Sequence, residues 1–553
     1  MRSGRRTPRT FASLSIIATL ALTACGDEGG GTAASGEAPS AIAPAEAPLY
    51  IETLVRPEGE TAETLARLVT AATGEPDPIG GAIEKFDAAA AQDGVDFSYE
   101  EDIEPWLGEH GAVVFNDAQA LIESGGEIPT ASTSGETDTD QPPENYVLII
   151  ETTGEDAARE ALDKFVELGA EEDPSAEISD ASYEGTDYVQ IESDEASVAL
   201  GLVDGFLVFG DQAGFEAAVD TALGAESLAG DAEFTGGIEQ LADEPSFALY
   251  ADTPSLIDAA EQAGAFSPED RAALDFYRGY LEQPIFATLA VDSAAIDLGF
   301  STGSAGYPMA EEGLLDGLPA DAWLAFGVPA LGEYFALFVD QLQAADAEFR
   351  REFETGSAEI ERALGMPLDE VFGSLGELTG YVRGDSPLAI DGALSLSTSD
   401  PDAAVGLLGK AGEQAAREGE QLTPIEGIEG LEDASGFQVQ PEGAPMAVLA
   451  FVSGEQVVVS YGEQAGIDAA APAETLGDSE SYSQAVDELA DVEPSVYLDV
   501  EPVAELLGNV PVSTEEVDVE RVISVLGELD YVIAGAATDD GRDVTRYRFG
   551  LDE

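Results

Sequence analysis

Lysine is almost missing from this chain: Lys85, Lys164 and Lys410 are the only three in 553 residues. Lysine and arginine together number 21, against 112 aspartates and glutamates, for a formal charge of −91. A surface of that sign repels phosphate backbones and anionic headgroups, which disfavours nucleic-acid binding and electrostatic attachment to membranes. Histidine and cysteine occur once each, as His110 and Cys25, so the usual zinc and copper ligand sets cannot be assembled. A single cysteine also excludes an internal disulfide, and the fold must be held by its core. None of the lysines stands in an S-x-x-K pattern, and Gly409-Lys410-Ala411 lacks the spacing and hydroxyl of a phosphate-binding loop. No ordered calcium-loop pattern occurs, so the acids read first as solvated faces, with weak cation collection as the sharper alternative.

What is present begins at the N-terminus. Arg2, Arg5, Arg6 and Arg9 precede an apolar run from Phe11 to Leu22 that is too short to span a bilayer. Leu22-Thr23-Ala24-Cys25 closes it in the manner of a bacterial lipobox. The expectation is a lipoprotein signal peptide over 1–24, lipidation of Cys25, and an extracytoplasmic protein held to the cell membrane by that lipid. Residues 25–47, rich in Gly, Ala, Ser and Pro, read as a flexible tether. The hydrophobic content of 44% is enough for two or more cores.

The rest of the chain repeats itself. GDQAGF at 210–215 returns as GEQAGI at 462–467, and Leu107-Gly108-Glu109 returns as Leu375-Gly376-Glu377. Asp156-Ala157-Ala158 matches Asp402-Ala403-Ala404, and LADEPSFALY at 241–250 resembles LADVEPSVYL at 489–498. The offset falls from 268 to 246 between the second and third of these pairs, which places an insertion between Gly108 and Asp156. The polar, Ser/Thr/Pro-rich residues 123–144 fit it as a mobile loop. Single-faced strands and hairpins with helices between them indicate an α+β fold of mostly antiparallel sheets covered by helices, in two tandem copies. The expected division is 48–305 for the first repeat, 306–317 for a linker and 318–553 for the second. Each repeated GDQAGF or GEQAGI marks a strand-to-helix corner, with glycine at the turn and Asp211 or Glu463 at the helix start. In the closing strand, Tyr547, Phe549 and Leu551 alternate with Arg546 and Arg548, so the aromatic side is expected to be the buried one.

LYIETLVRPEG at 49–59, YEEDIEPWLGEHGAVVF at 99–115 and LPADAWLAFGV at 318–328 resemble a bacterial envelope family catalogued as domain of unknown function 3352. The resemblance covers most of the chain beyond Cys25 and implies an exported or membrane-anchored protein of this build. It implies no catalytic residue.

The remaining chemistry is sparse. His110 reads as a solvated turn histidine beside Gly111. Gly299-Phe300-Ser301-Thr302-Gly303 matches G-x-S-x-G, but linker-like sequence follows it and the histidine precedes the serine, so no nucleophile elbow is expected. Paired acids such as Glu101 and Asp102 are the one enzymatic option that the composition permits. Tyr50, Trp106 and Trp323 read as core or sheet-edge aromatics. These observations point to a non-catalytic binding or scaffolding protein without a cofactor, partnered by the membrane through Cys25 and by another envelope protein or an apolar ligand. The alternatives are a carrier of a lipid or other apolar molecule and, third, a carboxylate-dependent hydrolase.

Overall fold

The computed structural model describes residues 38–93, 95–124, 145–172, 175–193, 197–489, 491–509 and 519–552. It divides into two compact units. The first takes in residues up to Phe266, with Leu281–Ser293 and Gly299–Ser301; the second takes in Ser267–Tyr280, Ala294–Leu298 and Thr302 onward. The helix Pro268–Leu281 therefore belongs, up to Tyr280, with the second unit and not with the first repeat as expected.

In the first unit the strands are β1 (Leu49–Leu54), β2 (Leu107–Phe115), β3 (Tyr146–Thr152), β4 (Glu177–Tyr183), β5 (Thr186–Glu192), β6 (Ser197–Val203), β7 (Phe206–Gly210), β8 (Phe247–Ala251) and β9 (Ile285–Val291). They pair antiparallel in the order β4-β5-β6-β7-β3-β2-β1-β8-β9. The next strand, β10 (Ala295–Gly303), is divided between the units. The second unit holds β11 (Leu324–Val328), β12 (Leu375–Arg383), β13 (Asp391–Thr398), β14 (Leu422–Ile428), β15 (Leu431–Val439), β16 (Val448–Ser453), β17 (Gln456–Tyr461), β18 (Glu493–Asp499), β19 (Leu529–Asp539) and β20 (Arg542–Leu551). Their order is β14-β15-β16-β17-β13-β12-β11-β18-β19-β20, again antiparallel throughout. Adding ten to each strand number of the first unit reproduces the second. Helices fall at matching places, such as Glu155–Glu172 after β3 and Pro401–Glu418 after β13. The fold is mixed α and β with antiparallel sheet, although central strands such as β3 are buried on both faces and not on one as expected.

One row across each sheet lies in the core. In the first unit it runs through Val147, Val114, Tyr50, Tyr250 and Phe286, directly opposite one another. Phe234 of the helix Ala232–Glu239 stands edge-on to Tyr50 and Tyr250, at 5.4 and 5.5 Å. In the second unit the row is Ala393, Tyr381, Ala325, Tyr497 and Ile533. Tyr482 of the helix Glu480–Leu489 meets Tyr497 edge-on at 5.1 Å. Local signals place the helices that cover these rows. Asp400 caps Ala403 with Pro401 at the first helical position, and Ser267 and Asp270 form a reciprocal capping box.

Several expectations are corrected. The last ten residues of the expected tether, 38–47, are packed and not free. Ile42, Ala43 and Ala47 are buried, Ala45 N–H donates to the Glu226 carbonyl and Leu228 N–H donates to the Ala43 carbonyl. The same hook opens the second unit, where Ala320 N–H donates to Glu474 and Leu476 N–H donates to the Leu318 carbonyl. The expected linker 306–317 likewise ends in buried Leu314 and Leu315. In each case the hook lies against a short 3-10 turn, Leu228–Gly230 or Leu476–Asp478. The run VALGLVDGFLVF is itself a hairpin, turning at Asp204 and Gly205 with φ of 48° and 86°, the mirror-type turn that strand twist favours. On β20 the expected polarity holds at Leu551, which is buried, but not at Tyr547, which is exposed, while the Arg548 side chain is held by Asp297 at 2.6 Å and Glu488 at 3.2 Å. A guanidinium with two carboxylates can occupy the covered side because its charge is matched there. Of the insertion 123–144, residues 125–144 lie outside the described residues; Glu123 ends the helix Ala118–Glu123.

The two corners differ beneath nearly identical words. Asp211 is a true N-cap, accepting from Gly214 N–H at 2.9 Å and from Asn145 N–H at 2.9 Å. In the second unit the N-cap is Gly462 with φ of 101°, and it makes no side-chain cap bond. Gly210 is not left-handed; a β-carbon there would lie 2.4 Å from the Tyr146 carbonyl oxygen. The ladder explains the difference. Gly210 stands opposite Val147 on β3, whereas Ser460, and not Gly462, stands opposite Ala393 on β13. The second corner thus carries extra chain before its helix, and Gly462 absorbs it. Substitution of either glycine with valine is expected to cost about 1–3 kcal/mol. Asp211→Ala is expected to cost about 1 kcal/mol, as for a lost cap, and Glu463→Ala only about 0.3–1 kcal/mol. Denaturant melts of the four variants check this, and equal losses for the two acids would contradict the assigned cap.

Candidate functional site

The repeated Leu-Gly-Glu words are β-bulges. In the first unit Leu107 pairs with Thr152 and Gly111 with Ile150, so Gly108, Glu109 and His110 stand opposite the single residue Glu151. In the second unit only Gly376 and Glu377 stand opposite Ser397. His110 is therefore the extra residue of the wider bulge. A bulge strands backbone N–H groups, which need partners when covered. Buried Glu151 supplies them, its Oε2 accepting from Glu109 N–H at 3.1 Å and His110 N–H at 3.3 Å. Ser397 Oγ does the same for Glu377 N–H at 2.7 Å.

His110 is thus in a strand, not on a solvated turn. Its Nδ1 lies 2.9 Å from Glu52 Oε1, and the Tyr50 hydroxyl donates to the other oxygen of Glu52. Burial works against protonation of the imidazole, but Glu52, Glu151 and Glu109 outweigh it and raise its pKa above the ordinary 6.5. Glu109 is raised in turn, chiefly by burial and then by Glu58, with His110 opposing. Beside the bulge, the buried Arg56 side chain donates through Nη1 to the carbonyls of Glu104 and Leu107, both at 3.2 Å. Trp106 Nε1 donates to the Asp102 carbonyl at 2.7 Å, and Lys164 meets the Asp102 carboxylate at 2.6 Å. The stretch EDIEPWLGEHGAVV is accordingly a structural knot. Asp102, the Trp106 indole and the N–H groups of Glu109 and His110 are spent on holding the chain.

The other sequence candidates come apart in the same way. Ser301 is fully buried within β10, and no helix directly follows it. Glu101 faces solvent while Asp102 is committed to Ser98 and Lys164, so the two do not form a working acid pair. Tyr50 and Trp106 are core residues, and Trp323 is half-buried, donating Nε1 to the Gly384 carbonyl. Asp499 and Asp530 are carboxyls that sequence reasoning did not single out. Burial raises both; Asp530 adds to the rise at Asp499, and Asp552, Glu501 and Glu488 add to the rise at Asp530. Cys25 lies outside the described residues.

The feature with binding character is on the second unit. An open groove of about 360 Å³ runs over β11, β12, β13, β16 and β17, lined on one sheet face by Phe326, Val382, Leu394, Val448, Val459 and Tyr461. Leu394 is 43% and Val459 41% exposed, unusual for adjacent residues at the centre of a sheet. Gly392 forms part of the floor, opposite Val382 on one side and Tyr461 on the other. On the opposite face of the same strands Arg383 joins Asp391 at 2.7 Å, Asp468 at 2.9 Å and Asp321 at 3.2 Å. Those three acids, against the opposing effect of burial, hold its guanidinium charged and raise its pKa.

The lone imidazole makes the first unit's bulge measurable. In a proton-NMR titration His110 is expected to titrate above its ordinary value, and Glu52→Gln to shift it downward. Because the folded pKa is raised, the charged pair stabilises the fold below the ordinary value, and that contribution is lost as pH climbs through the raised one. A titration unmoved by Glu52→Gln would contradict the pairing.

Comparison with curated proteins finds no match. Among solved structures the chain is similar to crystal form III of TP0453, at 9% identity and a TM-score of 0.23, over 50% of this chain and 82% of that one. Crystal form IV of the same protein gives 10% identity and 0.23, over 48% and 80%. A family model described as protein of unknown function (DUF3352) matches residues 32–531, and the chain belongs to that family.

Proposed function

We propose that this chain is an extracytoplasmic protein anchored through a lipid on Cys25, which binds or scaffolds rather than catalyses, and whose two units arose by tandem duplication. The shared strand order and the paired hooks, Ala43-Pro44-Ala45-Glu46-Ala47 and Leu318-Pro319-Ala320-Asp321-Ala322, support the duplication. The observation that carries the binding reading is the apolar groove around Leu394 and Val459. Apolar side chains left in water at the centre of a sheet are what an interaction surface requires and a purely structural sheet avoids. A second reading, a carrier for a lipid or other apolar ligand, draws on the same lining. The groove's open form favours a partner that covers it from outside over a molecule enclosed within.

Two measurements test this. Cys25→Ser is expected to abolish lipid labelling and release the protein from the membrane fraction; unchanged retention would place the anchor elsewhere. Mass spectrometry of an organic extract of purified Cys25→Ser protein is expected to find no stoichiometric lipid. One lipid per chain would favour the carrier.

A further inference from the structure

We infer that the helix Ala347–Leu364 of the second unit is a hinged lid, open in this structure, that closes over the sheet face around Leu394. The lid shuts that face whatever the face binds, so its test is separate from that of the binding reading above. The first unit shows the shut arrangement. Its matching helix is Pro78–Asp93, second in the β1–β2 connection as Ala347–Leu364 is second in the β11–β12 connection. Phe86 of Pro78–Asp93 lies in one buried cluster with Trp106, Leu148 and Leu162. Leu394 is the counterpart of Leu148: it stands between Gly380 and Val459, as Leu148 stands between Val113 and Phe209.

What fastens the first helix is missing from the second. Ile103 N–H donates to the Tyr99 carbonyl at 3.0 Å, and Thr153 N–H to the Trp106 carbonyl at 2.8 Å. Val371 N–H donates to the Pro367 carbonyl at 3.1 Å, and Ser399 N–H to the Ser374 carbonyl at 3.0 Å. These paired bonds match the two segments residue for residue, and at that match Phe97, Tyr99 and Trp106 become Gly365, Pro367 and Ser374. Phe97 meets the rings of Phe86 at 6.1 Å and Phe165 at 5.0 Å, while Tyr99 and Trp106 are buried in the cluster. Lys164 lies over the Phe97 ring, whereas Lys410 lies beside Gly365, 3.4 Å from where a β-carbon would stand. Three rings that pin the first layer down have no equivalent in the second.

The unpinned helix is left out of the core. None of its described side chains is buried, Ile360 is 49% exposed, and Phe349 and Phe353 stack on each other at 5.8 Å. That apolar side and the exposed pair Leu394 and Val459 belong to one unit, and burying each against the other removes both from water. Hinges stand at both ends. Asp346 is the only residue between this helix and Leu331–Ala345, and Gly365 follows it with φ of 81°. The helix Leu331–Ala345 is the fixed post, with Gly332 buried against the Phe372 carbonyl and Phe335 stacked on Phe372 at 6.3 Å.

The test uses full-length Cys25→Ser protein, which has no other thiol. Amide hydrogen exchange is expected to be about ten-fold or more faster over 347–364 than over 78–93, because a helix without tertiary cover opens more often. Further variants pair Leu394→Cys with Phe349→Cys, Phe353→Cys or Ile360→Cys, and are oxidised in dilute solution by oxygen with copper phenanthroline. A disulfide needs the two α-carbons within about 7 Å, so it forms only on closure, the thiols giving up two protons and two electrons to oxygen. At least one pair is expected to cross-link within the chain. Ser374→Trp is expected to slow alkylation of a sole thiol at Leu394→Cys about ten-fold or more, and a thermal melt checks that this variant is folded. Equal exchange over the two helices would overturn the inference. So would the failure of every pair to cross-link while both thiols still alkylate, or a folded Ser374→Trp protein whose thiol at 394 reacts as before.

Discussion

A sheet with apolar side chains on both faces must be covered from both sides, and the build of each unit follows from that requirement. Alternation along a strand sends successive residues to opposite faces, so β3 and β13, with neighbours on either side, cannot hide one face by turning away. On one face both units use the helices that follow the corner after β7 or β17. Phe215, Ala218 and Val219 are buried in the first of these, Ala465 and Gly466 in the second. The Tyr381 hydroxyl donates to the Ala465 carbonyl at 2.7 Å and fixes the second helix on its sheet. On the other face the units diverge. The first closes it with Ala118–Glu123 and with a cluster in which Val55, Phe86, Trp106, Leu148 and Leu162 are buried together. Among the described residues, the second leaves the centre of that face open.

The same economy of position governs the polar groups. A bulge shifts the strand relative to its neighbour and strands N–H groups, and each unit answers with one side chain from the adjacent strand. Where the bulge has three residues the answer is a carboxylate, Glu151; where it has two, the hydroxyl of Ser397 is enough. The carboxylate brings negative charge into a half-buried place. Glu52, His110 and the neighbouring Arg56 are arranged around the consequences. A chemistry-like cluster results from a folding need, which is why the histidine looked solitary in the sequence yet has close partners in space.

The legible parts were those where one local signal decides the outcome. Asp400-Pro401 and Ser267 start helices as their caps require, and Gly462 takes the left-handed angle that a corner glycine permits. The misread parts depend on distant partners. The hook at 43–47 is too poor in apolar residues to announce itself, and only its echo at 318–322 could have revealed it. No periodicity marks strands β4 and β14 in the sequence, because their side chains are mostly half-exposed or exposed. Arg548 on the covered side of β20 could not be read without Asp297, which is 251 residues away in sequence. The groove was illegible for a related reason. Leu148 and Leu394 occupy similar sequence contexts, and what separates them is the cluster of Val55, Phe86, Trp106 and Leu162 that buries Leu148.

That difference in cover is the centre of the account, and the chain's lack of thiols makes it directly measurable. With Cys25→Ser no cysteine remains, so Leu148→Cys and Leu394→Cys can each be introduced as the sole thiol and their alkylation rates compared under native conditions. Leu148 is 8% and Leu394 43% exposed. The account predicts that the thiol at 394 reacts freely in the folded protein, while the thiol at 148 reacts only through opening of its unit. Equal rates at the two positions would contradict it.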